Sequence, residues 1–336
     1  MIGTGRDHGG GLDAAIARYG GTRADWIDLS TGINPSPYPL PILGGDAWTA
    51  LPDSGAANAL ISAAREFWGV PDVAEVIAAP GASALIAQMP TLAGGAAYIP
   101  GPTYNEHAAA FRAHGREVSE SDPSAPVHVY VHPNNPDGRR WDDAPGGTLT
   151  IIDESFCDVM PEASQIARTA TPGTVVLKSF GKFWGLAGLR LGFAIAHPET
   201  LSTQPTLTDR LGPWAVSGVA QAVGTAALED HAWAAATRDT LAAEATKLDR
   251  LMAAAGAKAL GGTTLFRLYD TADASAAQEH LAQHHIWSRI FPYSSTWLRL
   301  GLPPQDRWPQ LETALGMAGG VIRAGAASRG NADLPS

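Results

Sequence analysis

The sequence has little cysteine, little positive charge and no long apolar run, and each shortage removes a class of protein from consideration. Its one cysteine, Cys157, rules out an intrachain disulfide and a cysteine-built metal cluster, and it suits a reducing compartment. Lys and Arg total 23 against 33 Asp and Glu, a formal net charge of -10. The clustered cations that general nucleic-acid or anionic-membrane binding needs are therefore not expected. No run approaches a membrane span, and residues 1–8 hold no apolar core of signal-peptide length. The expectation is a cytoplasmic protein with no nucleic-acid or membrane partner and no metal, in which any cationic site is local. Charged residues at 17% and apolar ones at 45% are those of an ordinary soluble globular chain. At 336 residues the chain passes the size at which one core stops growing, so two domains are expected.

What is present is organised around Ser179-Phe180-Gly181-Lys182-Phe183-Trp184-Gly185 and the Leu189-Arg190-Leu191-Gly192-Phe193 that follows. Lys182 comes just after the apolar run Val175-Val176-Leu177, and a second cation, Arg190, follows eight residues later. A lysine amine whose pKa is lowered by burial and by neighbouring cations condenses with aldehydes. Taken alone, Lys182 reads better as a surface lysine in a glycine-rich loop, so its company decides.

Residues 1–44 are rich in glycine and proline around a helical patch from Leu12 to Tyr19, and predict an ordered but irregular arm. Residues 54–69 read as a helix stopped by Gly69 and Pro71. Six apolar runs follow, at 76–79, 96–99, 127–131, 149–152, 174–177 and 191–195, alternating with helical stretches. Several lack polar alternation, as strands of a mostly parallel sheet covered on both faces should. Ligands of such sheets bind beyond the carboxyl ends of the strands. The segments Gly81-Ala82-Ser83, Gly101-Pro102-Thr103-Tyr104, His132 to Gly138, Asp153-Glu154-Ser155-Phe156 and Ser179 to Lys182 are thus expected at one site. From about Trp214 the chain turns to alanine-rich helices at 217–228 and 232–255, then strand-like runs at 263–268, 286–290 and 296–300, an α+β pattern. The expected division is an arm, 1–44, joining a small domain at 213–336, with a large α/β domain at 45–212. The small, polar residues 325–336 are expected to fray.

A cofactor that acts as an electron sink in amino-acid chemistry needs a lysine, a carboxylate on its ring nitrogen, donors for its phosphate and an arginine for the substrate carboxylate. Asp153, ending an apolar strand, suits a protonated ring nitrogen, and alone reads equally as a helix N-cap. Gly81, Ala82 and Ser83 open a helical stretch where backbone N–H groups bind phosphate, with Ser179 and Arg190 adding donors. Asn135 can present its amide to a ring hydroxyl, or simply make a turn. Tyr104 can stack on a ring, or pack in the core. Arg299 lies between apolar neighbours and has the planar fork suited to a carboxylate.

Together these residues resemble the aminotransferase class I/II family of pyridoxal-phosphate enzymes, fold type I, over nearly the whole chain. The motif Ser-x-x-Lys with Arg eight residues on reads Ser179, Lys182, Arg190 and Gly192 here, and the family's asparagine, aspartate, stacking aromatic and carboxylate arginine fall on Asn135, Asp153, Tyr104 and Arg299. Within it the resemblance narrows to the histidinol-phosphate aminotransferase branch, and there to the decarboxylases of L-threonine O-3-phosphate in cobalamin biosynthesis. The narrowing is carried by His8-Gly9-Gly10, by Asp28 to Pro35, by Pro133 to Gly138, by Asp153 to Phe156 and by Leu298 to Pro303. The resemblance implies pyridoxal 5'-phosphate as cofactor, a homodimer, a small phosphorylated amino acid as substrate, and Lys182, Asp153 and Tyr104 as catalytic residues. It further implies substrate contacts from His8, Asn34, Asn135, Arg289 and Arg299. The alternative it leaves open is a histidinol-phosphate-type aminotransferase. Two positions depart from the broader family: Phe156 replaces a tyrosine that meets the cofactor's ring oxygen, and Leu51 replaces one that reaches the partner subunit's phosphate.

Overall fold

The computed structural model describes residues 8–324. The expectation for residues 325–336, and the start of the arm at 1–7, lie outside the described residues. The chain divides into two compact units: Ile33–Ala242 with Gly262–Leu265, and Met1–Gly32 with Ala243–Gly261 and Phe266–Ser336.

The first unit is α/β. Its seven-stranded sheet runs, in spatial order, Glu75–Ala79, Gly192–Ala196, Thr174–Ser179, Leu149–Asp153, Val127–Val131, Ala97–Tyr98 and Val118–Ser119. All five positions of Val127–Val131, Leu149–Asp153 and Gly192–Ala196 are buried, as in strands covered on both faces. The pairings from Thr174–Ser179 to Val118–Ser119 are parallel. Gly192–Ala196 is antiparallel to both its neighbours. A parallel return needs a crossover, usually through a helix, and here residues 180–191 are taken up by the lysine-bearing loop and a single 3-10 turn, Ala187–Leu189. The sheet is thus mixed but mostly parallel. The short strand Val118–Ser119 carries too little apolar sequence to be seen beforehand.

Helix Ser54–Trp68 forms as expected: Asp53 accepts from the Ala56 N–H at its start, and Gly69 closes it at φ 61°. It packs against Gly218–Glu229. The segment after Ile33 is held by backbone bonds from Asn34 N–H to the Lys182 carbonyl (3.0 Å) and from Tyr38 N–H to the Trp184 carbonyl (2.9 Å). Those contacts gather residues 33–44 and 213–242 with the sheet-bearing unit, where the sequence pattern drew the division at 44 and 212.

In the second unit a four-stranded sheet runs Arg289–Phe291, Ser294–Gly301, Phe266–Asp270, Lys258–Gly262, and Ile27–Asp28 pairs in parallel with Ile286–Trp287. The run expected at 263–268 begins its strand at Phe266. The run expected at 286–290 splits at Ser288, because Ile286–Trp287 and Arg289–Phe291 join different sheets. Helices Ala274–Gln283 and Trp308–Gly316 were not expected, although the proline at the start of the second is a helix-opening signal. No helix among the described residues is long and apolar enough to cross a membrane.

Candidate active site

At the carboxyl ends of Val127–Val131, Leu149–Asp153 and Thr174–Ser179 the first unit opens a cavity of about 120 Å³. Its walls draw on all five segments that follow the strands: Ala82 and Ser83; Tyr104; Asn135; Asp153, Ser155 and Phe156; Ser179, Gly181 and Lys182. Arg190 lines it too. Register explains part of this convergence, since Val131, Asp153 and Leu177 are successive partners across the sheet.

Asp153 is the buried charge of the cavity, 2% exposed. Its Oδ2 lies 2.8 Å from His107 Nε2, and its Oδ1 accepts from the Ser155 N–H (3.0 Å) and hydroxyl (2.5 Å). Burial, the strongest single influence, raises the carboxyl's pKa, but the His107 and Ser155 contacts together outweigh it and hold the group below its usual range. A carboxyl lowered on folding contributes stability that is complete above the ordinary carboxylate range and is lost as pH falls through the lowered value.

His107 was not singled out from the sequence. It lies on helix Asn105–Ala113, four residues before the buried Phe111, so a polar residue on an apolar helical stripe was the available signal. His107 Nδ1 is buried without a hydrogen-bond partner. The proton is accordingly assigned to Nε2, donated to Asp153, which leaves the carboxylate an acceptor. Tyr104 meets His107 edge-on, centroids 6.1 Å apart.

Asn134 also went unremarked. It is fully buried; its amide donates to the Pro102 carbonyl and to Asp137, and its oxygen accepts from Thr103. It ties the loop before Tyr104 to the loop carrying Asn135.

Lys182 is half-buried, with Nζ 5.3 Å from the centre of the Phe156 ring. Arg190, also on the cavity wall, takes a left-handed backbone (φ 54°) and donates from Nη1 to the Ala187 carbonyl (3.1 Å). A side chain at Gly81 would collide with the Arg190 guanidinium, and one at Gly192 with the Ala82 backbone nitrogen. Glycine at both places lets the Arg190 guanidinium and the Ala82 backbone amide approach this turn closely. A lysine amine, a buried carboxylate, an aromatic face and this guanidinium fit a phosphorylated pyridine aldehyde.

The remaining expected residues are not among those that line this cavity. Asn34 is buried, its amide donating to the Phe183 carbonyl (2.9 Å) and its oxygen accepting from the Ser36 N–H; it does not line the cavity. His8, Arg289 and Arg299 belong to the second unit. Arg289 and Arg299 are direct cross-strand partners, an arrangement of like charges that destabilises a bare sheet and suits a bound anion. Arg289 donates to the His8 carbonyl (2.5 Å) and Arg299 to the Ser30 carbonyl (2.6 Å). Burial, aided by Arg289, pushes the pKa of Arg299 down to about 10. Leu51 is 67% exposed, and Phe156 is buried.

Fold and site together are those of a known class. The model of the family "Aminotransferase class I and II" matches residues 133–315, and the chain belongs to that family. A threonine-phosphate decarboxylase of Sinorhizobium sp is 39% identical over 316 residues, 88% of this chain and 93% of that one. A threonine-phosphate decarboxylase of Pseudomonas aeruginosa is 38% identical over 330 residues, 92% of this chain and 97% of that one. Among solved structures, the histidinol-phosphate aminotransferase of Sinorhizobium meliloti in complex with pyridoxal-5'-phosphate superposes with a TM-score of 0.75 at 20% identity, covering 91% of this chain and 93% of that one. That last likeness is one of fold.

Proposed function

We propose that this chain is a pyridoxal-phosphate enzyme that decarboxylates L-threonine O-3-phosphate to (R)-1-aminopropan-2-yl phosphate, a step in cobalamin biosynthesis, without transferring the amino group. The observation that carries the substrate reading is the in-register pair Arg289 and Arg299, two cationic forks for a substrate that bears both a carboxylate and a phosphate. The two decarboxylase relatives, each spanning most of the chain, support the same reaction.

In this reading Ser179, Arg190 and the amides of Ala82 and Ser83, admitted by Gly81, hold the cofactor's phosphate. Tyr104 covers its ring, Asn135 meets the ring hydroxyl, and Asp153 keeps the ring nitrogen protonated. Bound there, the cofactor supplies an aldehyde for the substrate amine and a sink for the electron pair left at Cα. Arg299 would bind the substrate carboxylate and orient it for loss as carbon dioxide. Arg289 and His8 grip the substrate phosphate, and Lys182 Nζ delivers a proton to Cα as carbon dioxide leaves. Asn34 acts at one remove, through the Lys182 and Phe183 carbonyls it holds.

Incubation with O-phosphothreonine alone should release carbon dioxide. In the same assay Arg289→Lys should impair the phosphorylated substrate far more than threonine, because a fork becomes a point charge. Turnover that requires 2-oxoglutarate and yields glutamate would instead make the chain a histidinol-phosphate-type aminotransferase. A cytoplasmic location belongs to the same reading. So does a homodimer, which the exposed apolar side chains Leu40, Ile42, Trp48, Leu51 and Trp214 support. Light scattering should give twice the chain mass; a fully active monomer would refute the dimer.

A further inference from the structure

Behind the cavity, on the opposite face of the sheet, lies a cluster of buried charges that the reaction scheme does not use. Lys178 Nζ is 2.6 Å from Glu154 Oε2 and 3.4 Å from Asp158 Oδ1, and all three side chains are at most 4% exposed. Glu154 also accepts from the Ser164 hydroxyl (2.7 Å) and the Gln165 N–H (2.6 Å). Asp158 accepts from the indoles of Trp68 (3.0 Å) and Trp184 (3.2 Å), and its carbonyl from Arg238 (2.8 Å). Burial alone would push the Lys178 amine down in pKa, but Glu154 and Asp158 outweigh it and hold the amine above its ordinary value. Lys178 therefore offers no free amine, although it stands four residues from Lys182.

The place of each member in the chain gives the cluster its meaning. Glu154 follows Asp153 directly, Lys178 precedes Ser179 directly, and Trp184 lies two residues beyond Lys182. Successive side chains of a strand point to opposite faces. Leu177 packs into the core on one face, and Lys178 reaches Trp68 on the other. The Glu154 N–H also bonds the Leu177 carbonyl (2.9 Å). One ion cluster thus fastens the three segments that carry Asp153, Ser179 and Lys182. Buried ion pairs are often replaceable by apolar groups without loss of stability, so stability alone does not call for this one.

We propose that Lys178, Glu154 and Asp158 form a positioning cluster that sets the directions in which Asp153, Ser179 and Lys182 enter the cavity. The proposal rests on the roles given to those three residues above. It acts on rate rather than on substrate affinity, since displacement of reacting groups by about 1 Å costs on the order of 100-fold.

The test is the double variant Lys178→Met/Glu154→Gln, which removes one charge of each sign and leaves the cluster's net charge unchanged. Glu154→Gln alone, which keeps the side chain's shape and an acceptor for the Gln165 N–H, is the second variant in case the first does not fold. In protein loaded with pyridoxal phosphate, kcat should fall roughly 10- to 100-fold while KM stays near the parent's. The visible circular dichroism of the bound cofactor should weaken or change sign, read at a temperature where each variant is still folded, since removing partners from a buried ion cluster lowers stability. Either variant folded, with parental kcat and parental dichroism, overturns the proposal, as does a loss of kcat that only follows loss of folded protein. Should the parent not act on O-phosphothreonine, the proposed function fails by itself, and the dichroism still reads the cluster.

Discussion

Lys182→Ala abolishes the covalent attachment of pyridoxal phosphate and lowers turnover of O-phosphothreonine by at least about 10⁴-fold: this is the largest effect expected of any single substitution. The same amine serves as nucleophile toward the aldehyde and as proton donor to Cα, and general acid–base catalysis alone accounts for roughly 10²- to 10⁴-fold. Lys178 cannot take over, because Glu154 and Asp158 hold its Nζ on the far face of the sheet. Borohydride reduction of the loaded protein followed by peptide mapping should place the cofactor on Lys182 in the parent and on no lysine in the variant. A reduced cofactor still attached in Lys182→Ala would sink the assignment. Folding should be little affected, since Lys182 is only half-buried and lines a cavity.

Asp153→Asn is expected to lower kcat by roughly 100- to 1,000-fold, the range seen when one preorganised electrostatic partner of a developing charge is removed, with the cofactor still bound. The neutral amide no longer favours a protonated ring nitrogen, so the electron sink weakens. Its second consequence comes from the hydrogen bonds. The carboxylate accepts from His107 Nε2 and from the N–H and hydroxyl of Ser155, and an asparagine has one oxygen to offer. At least one of these buried donors is left facing an NH2 group, at a cost of about 1–3 kcal/mol. Kinetics, cofactor titration and thermal unfolding of the variant separate the two consequences. A kcat within about threefold of the parent would remove Asp153 from the role given to it.

Much of this protein was determined by its sequence alone. The runs at 149–152 and 174–177 read as strands because burial on both faces suppresses polar alternation, a property local to each run. The residues following those runs and the run at 127–131, namely Asn135, Asp153, Ser179 and Lys182, could be expected at one cavity because parallel strands end together on one side of a sheet. Helix Ser54–Trp68 carried its own start and stop in Asp53 and Gly69.

Tertiary structure alone decided what depends on pairs far apart in the chain. The antiparallel setting of Gly192–Ala196 follows from the loop that precedes it, and no feature of that apolar run announces it. His107 meets Asp153 across 46 residues, Asn34 reaches Phe183 across 149, and Lys178 finds Glu154 only because their strands are neighbours. A lone histidine, asparagine or lysine among apolar residues has no periodicity to betray its partner. Its partner is fixed by packing, where a buried donor or charge must find a complement or be paid for in stability.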